Sequence, residues 1–319
     1  MKNFKPAFGL KNRHLQTLYP AFFRKSINHA FEIEEFKLDD GDFVDCFWCE
    51  KKPLNNEPIV ILFHGLEGSH KSPYIQGIMK ALKEVGISSV LMHFRGCSGR
   101  VNNKPRAYHS GDTADAKAWI EHLHVSYPNN HLHAIGHSLG GNMLLKLLGE
   151  CGDKSLLTSA VSISAPMQLD ISANTMNSGF AQVYQKHLLK HLKNSLHVKY
   201  DYHPMQKLIN LKKDDIKKIK TLWEFDDAYT SKIHGFDTAK EYYKLSSSKQ
   251  YLKKIRTKTL IIHALDDPFM TKEILPKKDE LSHSIRLEVH QHGGHVGFVS
   301  GTVFKPIYWL ENRIIEFLF

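Results

Sequence analysis

Five consecutive residues, Gly136-His137-Ser138-Leu139-Gly140, place a serine between two glycines in a G-x-S-x-G frame. A serine hydroxyl is a weak nucleophile at neutral pH. It needs a base, and the base must be oriented by a carboxylate. The frame suits a sharp turn from strand to helix, where the glycines let the two elements approach closely and the serine is presented for attack on an acyl carbonyl. The partners are then expected downstream, the acid first and the histidine second. Leu260-Ile261-Ile262-His263-Ala264 runs into Leu265-Asp266-Asp267-Pro268, which offers two acids. Leu287-Glu288-Val289 leads to His290, His292 and His295. With 21 histidines in the chain, a histidine near any given point says little. The glycines of Gly293-Gly294-His295-Val296-Gly297-Phe298 select His295, because they would let a loop bring it over the serine.

The negative charge of a tetrahedral intermediate requires fixed N–H donors, each worth about 3 kcal/mol. One is expected from Leu139, the residue after the nucleophile, and the other from Leu66, in the glycine-containing Phe63-His64-Gly65-Leu66-Glu67-Gly68 loop.

These residues must be positioned by a sheet. Pro58–Phe63, Ile87–Phe94, His131–Gly136, Ser159–Ser164, Lys258–Ala264 and Ile285–His290 read as strands. Phe31–Leu38 and Asp42–Trp48 read as an opening hairpin turned by Asp39-Asp40-Gly41. Helical patterns alternate with them. One starts at Ser72 and Pro73, turns Ile75, Ile78, Met79, Leu82 and Val85 inward, and stops at Gly86. Others span Ser110–His124 (with Ala114, Ala118, Trp119 and Leu123 inward), Leu139–Gly149 and Val303–Leu318. This alternation predicts an α/β fold with a mostly parallel, doubly wound sheet. The rhythm breaks between Ser164 and Lys258, a stretch too long for a structureless loop in a compact domain. Helical patterns at Ala181–Leu196 and Pro204–Ile219, then aromatic-rich Trp223–Phe236, predict an inserted helical cap. The divisions are residues 1–165 for the first part of the core, 166–256 for the cap and 257–319 for the second part of the core.

Composition narrows the function classes. Four scattered cysteines do not make a disulfide framework. Cys46 and Cys49 lie on a predicted strand, where residues three apart point to opposite faces, so they would not chelate. No H-E-x-x-H or similar helical spacing appears, and no metal is expected. No secretory signal or 18-residue apolar run is evident, which points to a cytoplasmic protein. The net charge of +10 carries no recognised nucleic-acid module. It is concentrated in the cap, where Lys186, Lys190, Lys193, Lys199, Lys207, Lys212, Lys213, Lys217, Lys218 and Lys220 face only Asp201, Asp214 and Asp215. That face could associate peripherally with anionic lipid. Met167, Met176, Phe180, Val183 and Leu188 could line an acyl pocket or pack the cap on the core. An ion pair between Arg95 and Asp112 is expected, and His14, Gln16 and Thr17 are expected to fasten the N-terminal segment to the core.

Several blocks together resemble the YheT-like branch of the α/β hydrolases: Asn12–Thr17, Phe63–Gly68, Phe94–Gly99, Arg106–Thr113, the serine frame with Gly141-Asn142, Phe225–Asp227, His234–Phe236, Asp266–Phe269 and Gly293–Phe298. The resemblance runs nearly end to end. It implies the α/β-hydrolase fold and a carboxylic-ester hydrolase with a Ser/Asp/His triad, without metal or organic cofactor. The triad aspartate of related hydrolases is commonly followed by two residues, an apolar residue and a proline. Asp267 fits that frame better than Asp266, apart from the final proline, so the triad is read as Ser138, Asp267 and His295. The partner is then a small-molecule ester of short to medium acyl chain. Acyl transfer to an alcohol, and a hydrolase-shaped binding protein, are the alternatives. The natural ester and the oligomeric state are not fixed by these residues.

Overall fold

The computed structural model describes residues 4–319. Eight strands form one sheet: β1 (Phe31–Lys37), β2 (Phe43–Cys49), β3 (Ile59–Phe63), β4 (Ser88–Met92), β5 (Leu132–His137), β6 (Ser159–Ile163), β7 (Lys258–Ala264) and β8 (Ile285–His290), in the order β1-β2-β4-β3-β5-β6-β7-β8. β1–β2 and β2–β4 pair antiparallel. Every later pair is parallel. A separate hairpin joins β9 (Val299–Gly301) to β10 (Pro306–Tyr308).

The helices are α1 (Arg13–Phe23), α2 (Pro73–Glu84), α3 (Ala114–Ser126), α4 (Leu139–Cys151) and α11 (Trp309–Leu318) around the sheet. Between β6 and β7 lie α5 (Leu169–Thr175), α6 (Ala181–Tyr202), α7 (Met205–Ile209), α8 (Leu222–Phe225), α9 (Ser231–Ile233) and α10 (Ala239–Ser246). The two-residue period of the strands divides the core into two layers. Ile59, Ile61 and Phe63 pack with Trp119 of α3 and Leu144 of α4, whereas Val60 and Leu62 pack with Ile78 of α2 and Ile314 of α11. Strands covered on both sides must be apolar throughout, which is why β3 has no exposed residue. Cys46 joins the first layer and Cys49 the second, so the pair is split across the sheet. The helices between β6 and β7 have an apolar cluster of their own, built on Leu189, Leu196, Met205, Ile209, Ile216 and Phe225. Among the described residues, no helix is long and apolar enough to cross a membrane.

Three local expectations are corrected, and one helix is new. The last helix begins at Trp309 rather than Val303, because Pro306 lacks an N–H and constrains the residue before it; the intervening chain forms β9–β10. The helix expected over Pro204–Ile219 stops at Asn210, which takes a left-handed conformation, and gives way to a 3₁₀ turn. Val85 and Ala114 are exposed rather than inward, and Asp115 and Ala116 are buried in place of Ala114. α1 was not anticipated as a helix; the Asn12 side chain caps it by accepting the His14 and Leu15 N–H groups.

Candidate active site

Ser138 occupies the turn between β5 and α4 with φ 51° and ψ −118°. A positive φ is costly for a residue with a side chain, and the surroundings enforce it. Ser138 N–H donates to the Ile163 carbonyl at 2.8 Å. A Cβ on Gly136 would lie 2.5 Å from the Gly140 carbonyl oxygen, and one on Gly140 would lie 2.5 Å from that of His64. The glycines are therefore required by close backbone contact.

The loop after β8 carries His295 to this turn. Its Nε2 lies 2.9 Å from Ser138 Oγ, and its Nδ1 lies 2.8 Å from Oδ2 of the fully buried Asp267. An ionised carboxylate only accepts hydrogen bonds, so Nδ1 carries the proton and Nε2 is free to accept from the serine. The other Asp267 oxygen accepts Phe269 N–H at 2.9 Å, and the Phe269 ring stacks on the imidazole with centroids 3.9 Å apart. Asp266 does different work. It accepts Gly294 N–H at 3.0 Å and contacts His292 Nδ1 at 3.1 Å, so it shapes the loop rather than meeting His295.

The N-terminal helix supports the same loop. His295 N–H donates to Thr17 Oγ1 at 2.9 Å. The buried Gln16 side chain donates to the Leu10 and Val299 carbonyls and accepts Val299 N–H. His14 Nδ1 contacts Tyr184 Oη of α6 at 3.1 Å.

Leu66 lies in the loop after β3, which rests on the serine: a Cβ on Gly65 would be 3.3 Å from Ser138 Cβ. The amides beside Leu66 are occupied by tyrosine hydroxyls, Gly65 N–H by Tyr74 at 2.8 Å and Glu67 N–H by Tyr108 at 2.8 Å. The Gly65 carbonyl accepts from Gly68 N–H and from His64 Nδ1–H. Leu66 N–H has no acceptor among the described residues. Leu139 N–H, at the first position of α4, has no intrahelical partner by geometry. The loop is also tied to α6, since Ser195 Oγ donates to Glu67 Oε2 at 2.8 Å.

A cavity of about 390 Å³ opens on Ser138 and His295. Its wall is mainly apolar and includes Leu169, Ala173, Met176, Leu188 and Leu192 from the helices between β6 and β7. Of the five side chains considered for an acyl pocket, Met176 and Leu188 are in the wall. Met167 is buried in the core, and Phe180 and Val183 face outward.

The expected Arg95–Asp112 pair does not form. Arg95 grips Asp115 through two bonds of 2.6 and 2.7 Å and also reaches Asp40 and Asp42. Asp112 is held by Arg106 at 2.8 Å. Asp115 sits in the first turn of α3, turned to the core, which the assumed helix register had assigned to Ala114. His109, Asp112 and His234 bring ligand-type atoms within 4.8 Å of one another. Asp112 already has Arg106, and His109 Nδ1 accepts Gly111 N–H at 3.1 Å, which leaves the neutral ring's proton on Nε2. Metal-bound histidines show the opposite pattern, donating from the second nitrogen, so this cluster does not fit a metal.

Tyr74 was not singled out by the sequence. Tyr108 stood out only within a block of family resemblance. Neither was distinguishable from core aromatics until the fold brought its hydroxyl to the loop.

A mostly parallel sheet with a serine at a strand–helix turn, followed in sequence by an aspartate after β7 and a histidine after β8, defines an α/β hydrolase. Residues 58–302 match the family model described as the alpha/beta hydrolase fold, and the chain belongs to that family as a YheT-like member. It is 42% identical over 316 residues to "Putative esterase YheT" of Escherichia coli (strain K12), covering 99% of this chain and 92% of that protein. It is 28% identical over 311 residues to "Phospholipase ABHD3" of Mus musculus, covering 95% of this chain and 75% of the relative. The solved Pyrococcus furiosus esterase Pf2001 superposes with a TM-score of 0.59 at 16% identity, covering 100% of this chain and 97% of that one, a likeness of fold.

Proposed function

We propose that this chain hydrolyses carboxylic esters of short to medium acyl chains through an acyl-enzyme on Ser138. The observation that carries the reading is the His295 ring, bridging Ser138 Oγ at 2.9 Å and Asp267 Oδ2 at 2.8 Å beside a largely apolar cavity. The esterase and phospholipase names of its relatives support the substrate class.

As Ser138 Oγ bonds to the ester carbon, His295 Nε2 takes the hydroxyl proton and the carbonyl electron pair moves onto oxygen. The oxyanion meets the unpaired N–H groups of Leu66 and Leu139, donors already in place before charge develops. Collapse breaks the carbon–oxygen bond to the alcohol, which leaves with the proton from His295. Water then attacks the acyl-enzyme, giving its proton to His295; the acid departs and Ser138 regains its proton. Asp267 holds the imidazole in the required tautomer and stabilises its cation. The helices of residues 166–256 act as a cap over the acyl group, through side chains such as Met176 and Leu188.

Fluorophosphonate labelling, combined with turnover of p-nitrophenyl esters of increasing chain length, tests this. The expected result is labelling and turnover by the wild type and neither by Ser138→Ala. A folded wild-type protein that neither labels nor turns over any ester of the series would overturn it.

A further inference from the structure

Residues 4–31 include Lys5, Lys11, Arg13, Arg24 and Lys25 and no acidic residue. Arg24 is paired with Glu311. The other four are exposed, as is Lys305 in the β9–β10 turn, and none of these five forms an ion pair among the described residues. The same region holds Phe8, Phe22, Phe23 and Phe304, which are 90%, 73%, 70% and 93% exposed. They are built into one platform. Phe8 forms a parallel bridge with Thr302, Tyr19 Oη donates to the Val303 carbonyl at 2.5 Å, and Tyr19 stacks on Phe23 at 5.1 Å. The other side of α1 turns Thr17, Pro20 and Ala21 into the cavity wall.

A single exposed aromatic is ordinary on a soluble protein; four on one acid-free platform whose helix also lines the cavity are not. We propose that α1 and the β9–β10 turn form a docking surface for an anionic phospholipid bilayer. The phenylalanines enter the boundary between headgroups and acyl chains, and the unpaired cations face lipid phosphates. Charge complementarity favours this occupant over a second copy of the chain, which would oppose two basic surfaces. The lysine-rich cap is a weaker candidate: Lys199 is buried, and Lys213 and Lys218 are paired with Asp201 and Asp215. Docking stands independently of the catalytic reading.

Vesicle flotation of the full chain tests it, with phosphatidylcholine alone and with phosphatidylcholine mixed with phosphatidylglycerol. Binding to the mixed vesicles alone, weakened by salt, is expected. Phe22→Ser with Phe304→Ser should lower binding, and Lys11→Glu with Lys25→Glu should lower it about fivefold or more per charge. Melting temperature and turnover of a soluble p-nitrophenyl ester should stay unchanged. No binding to the mixed vesicles, or undiminished binding by both variants, would overturn the proposal. Loss confined to Lys186→Glu, Lys190→Glu and Lys217→Glu would overturn it in favour of the cap. A wild-type dimer in solution that Phe22→Ser with Phe304→Ser dissociates would assign the platform to a second copy instead.

Discussion

His64 Nδ1 donates a 2.7 Å hydrogen bond to the carbonyl of Gly65, while its Nε2 accepts the N–H of Phe94 at 3.1 Å. Burial pushes the ring's pKa down to about 4, so this one neutral tautomer persists through neutral pH. A peptide unit is planar and trans. Fixing the Gly65 oxygen therefore also fixes the Leu66 N–H, which points the opposite way.

His64→Ala should lower kcat by roughly a hundredfold, comparable to losing an oxyanion donor, with KM little changed. Affinity for a trifluoromethyl ketone, which mimics the tetrahedral intermediate, should fall in parallel. A purely structural role would reduce melting temperature and leave that parallel absent.

The adjacent aspartates should separate by kinetics. Asp267→Asn should cost on the order of 10⁴ in kcat through the wrong imidazole tautomer. Asp266→Asn, whose native carboxylate holds Gly294 N–H, should cost about tenfold or less because one acceptor oxygen survives. Equal losses would mean that both carboxylates act on the ring.

Gly140→Ala tests the elbow itself. The added Cβ would meet the His64 and Phe63 carbonyl oxygens at 2.5 and 2.6 Å, and both are backbone atoms. Denaturant unfolding should show a loss of about 3 kcal/mol, with activity falling as the Phe63–Gly68 loop is displaced.

Asp226, in the cavity wall, accepts hydrogen bonds from Thr230 and Tyr243 at 2.7 Å each. Burial raises its carboxyl to about 6, from the ordinary 3.8. Between these values the folded state holds more protons than the unfolded state, so the contribution is complete below pH 3.8 and is lost as pH rises through 6. The unfolding free energy of the wild type in urea should therefore fall relative to that of Asp226→Asn across pH 4–6, by on the order of 1–2 kcal/mol. The gap should then stay level to neutral pH.

Acyl length should be read by the cavity. Each methylene that finds apolar wall contributes about 0.8 kcal/mol, roughly fourfold in kcat/KM. A p-nitrophenyl ester series should climb at that rate and then level off. Leu188→Trp, filling the wall from α6, should move the plateau to shorter chains without lowering turnover of the acetate.

What could be read in advance follows from how local each signal is. β3 and β7 are legible because strands covered on both sides leave continuous apolar runs. The serine turn is legible because steric need writes glycine at Gly136 and Gly140, two residues to either side of Ser138. α1 has an internal proline, Pro20, which masks its helical period. The β9–β10 hairpin is too short to show alternation. Arg95 found Asp115 instead of Asp112 because Asp115, in the first turn of α3, faces the core, whereas Asp112 lies ahead of the helix and is taken by Arg106, a pairing no local pattern announces. Tyr74 and Tyr108 serve the loop through a single hydroxyl each, reached by tertiary folding, and nothing in a core aromatic's neighbours marks that use.

Thr17 and His295 are joined across 278 residues of sequence, as Gln16 and Val299 are across 283. During synthesis α1 emerges long before the loop it must brace, and until that loop arrives its apolar side has no cover. On the proposed mechanism, competence waits until the segment around His295 closes against a helix made 278 residues earlier. On that mechanism, a nascent chain interrupted before His295 would hold Ser138 and Asp267 and still lack the proposed base, so unfinished copies would be inert toward esters.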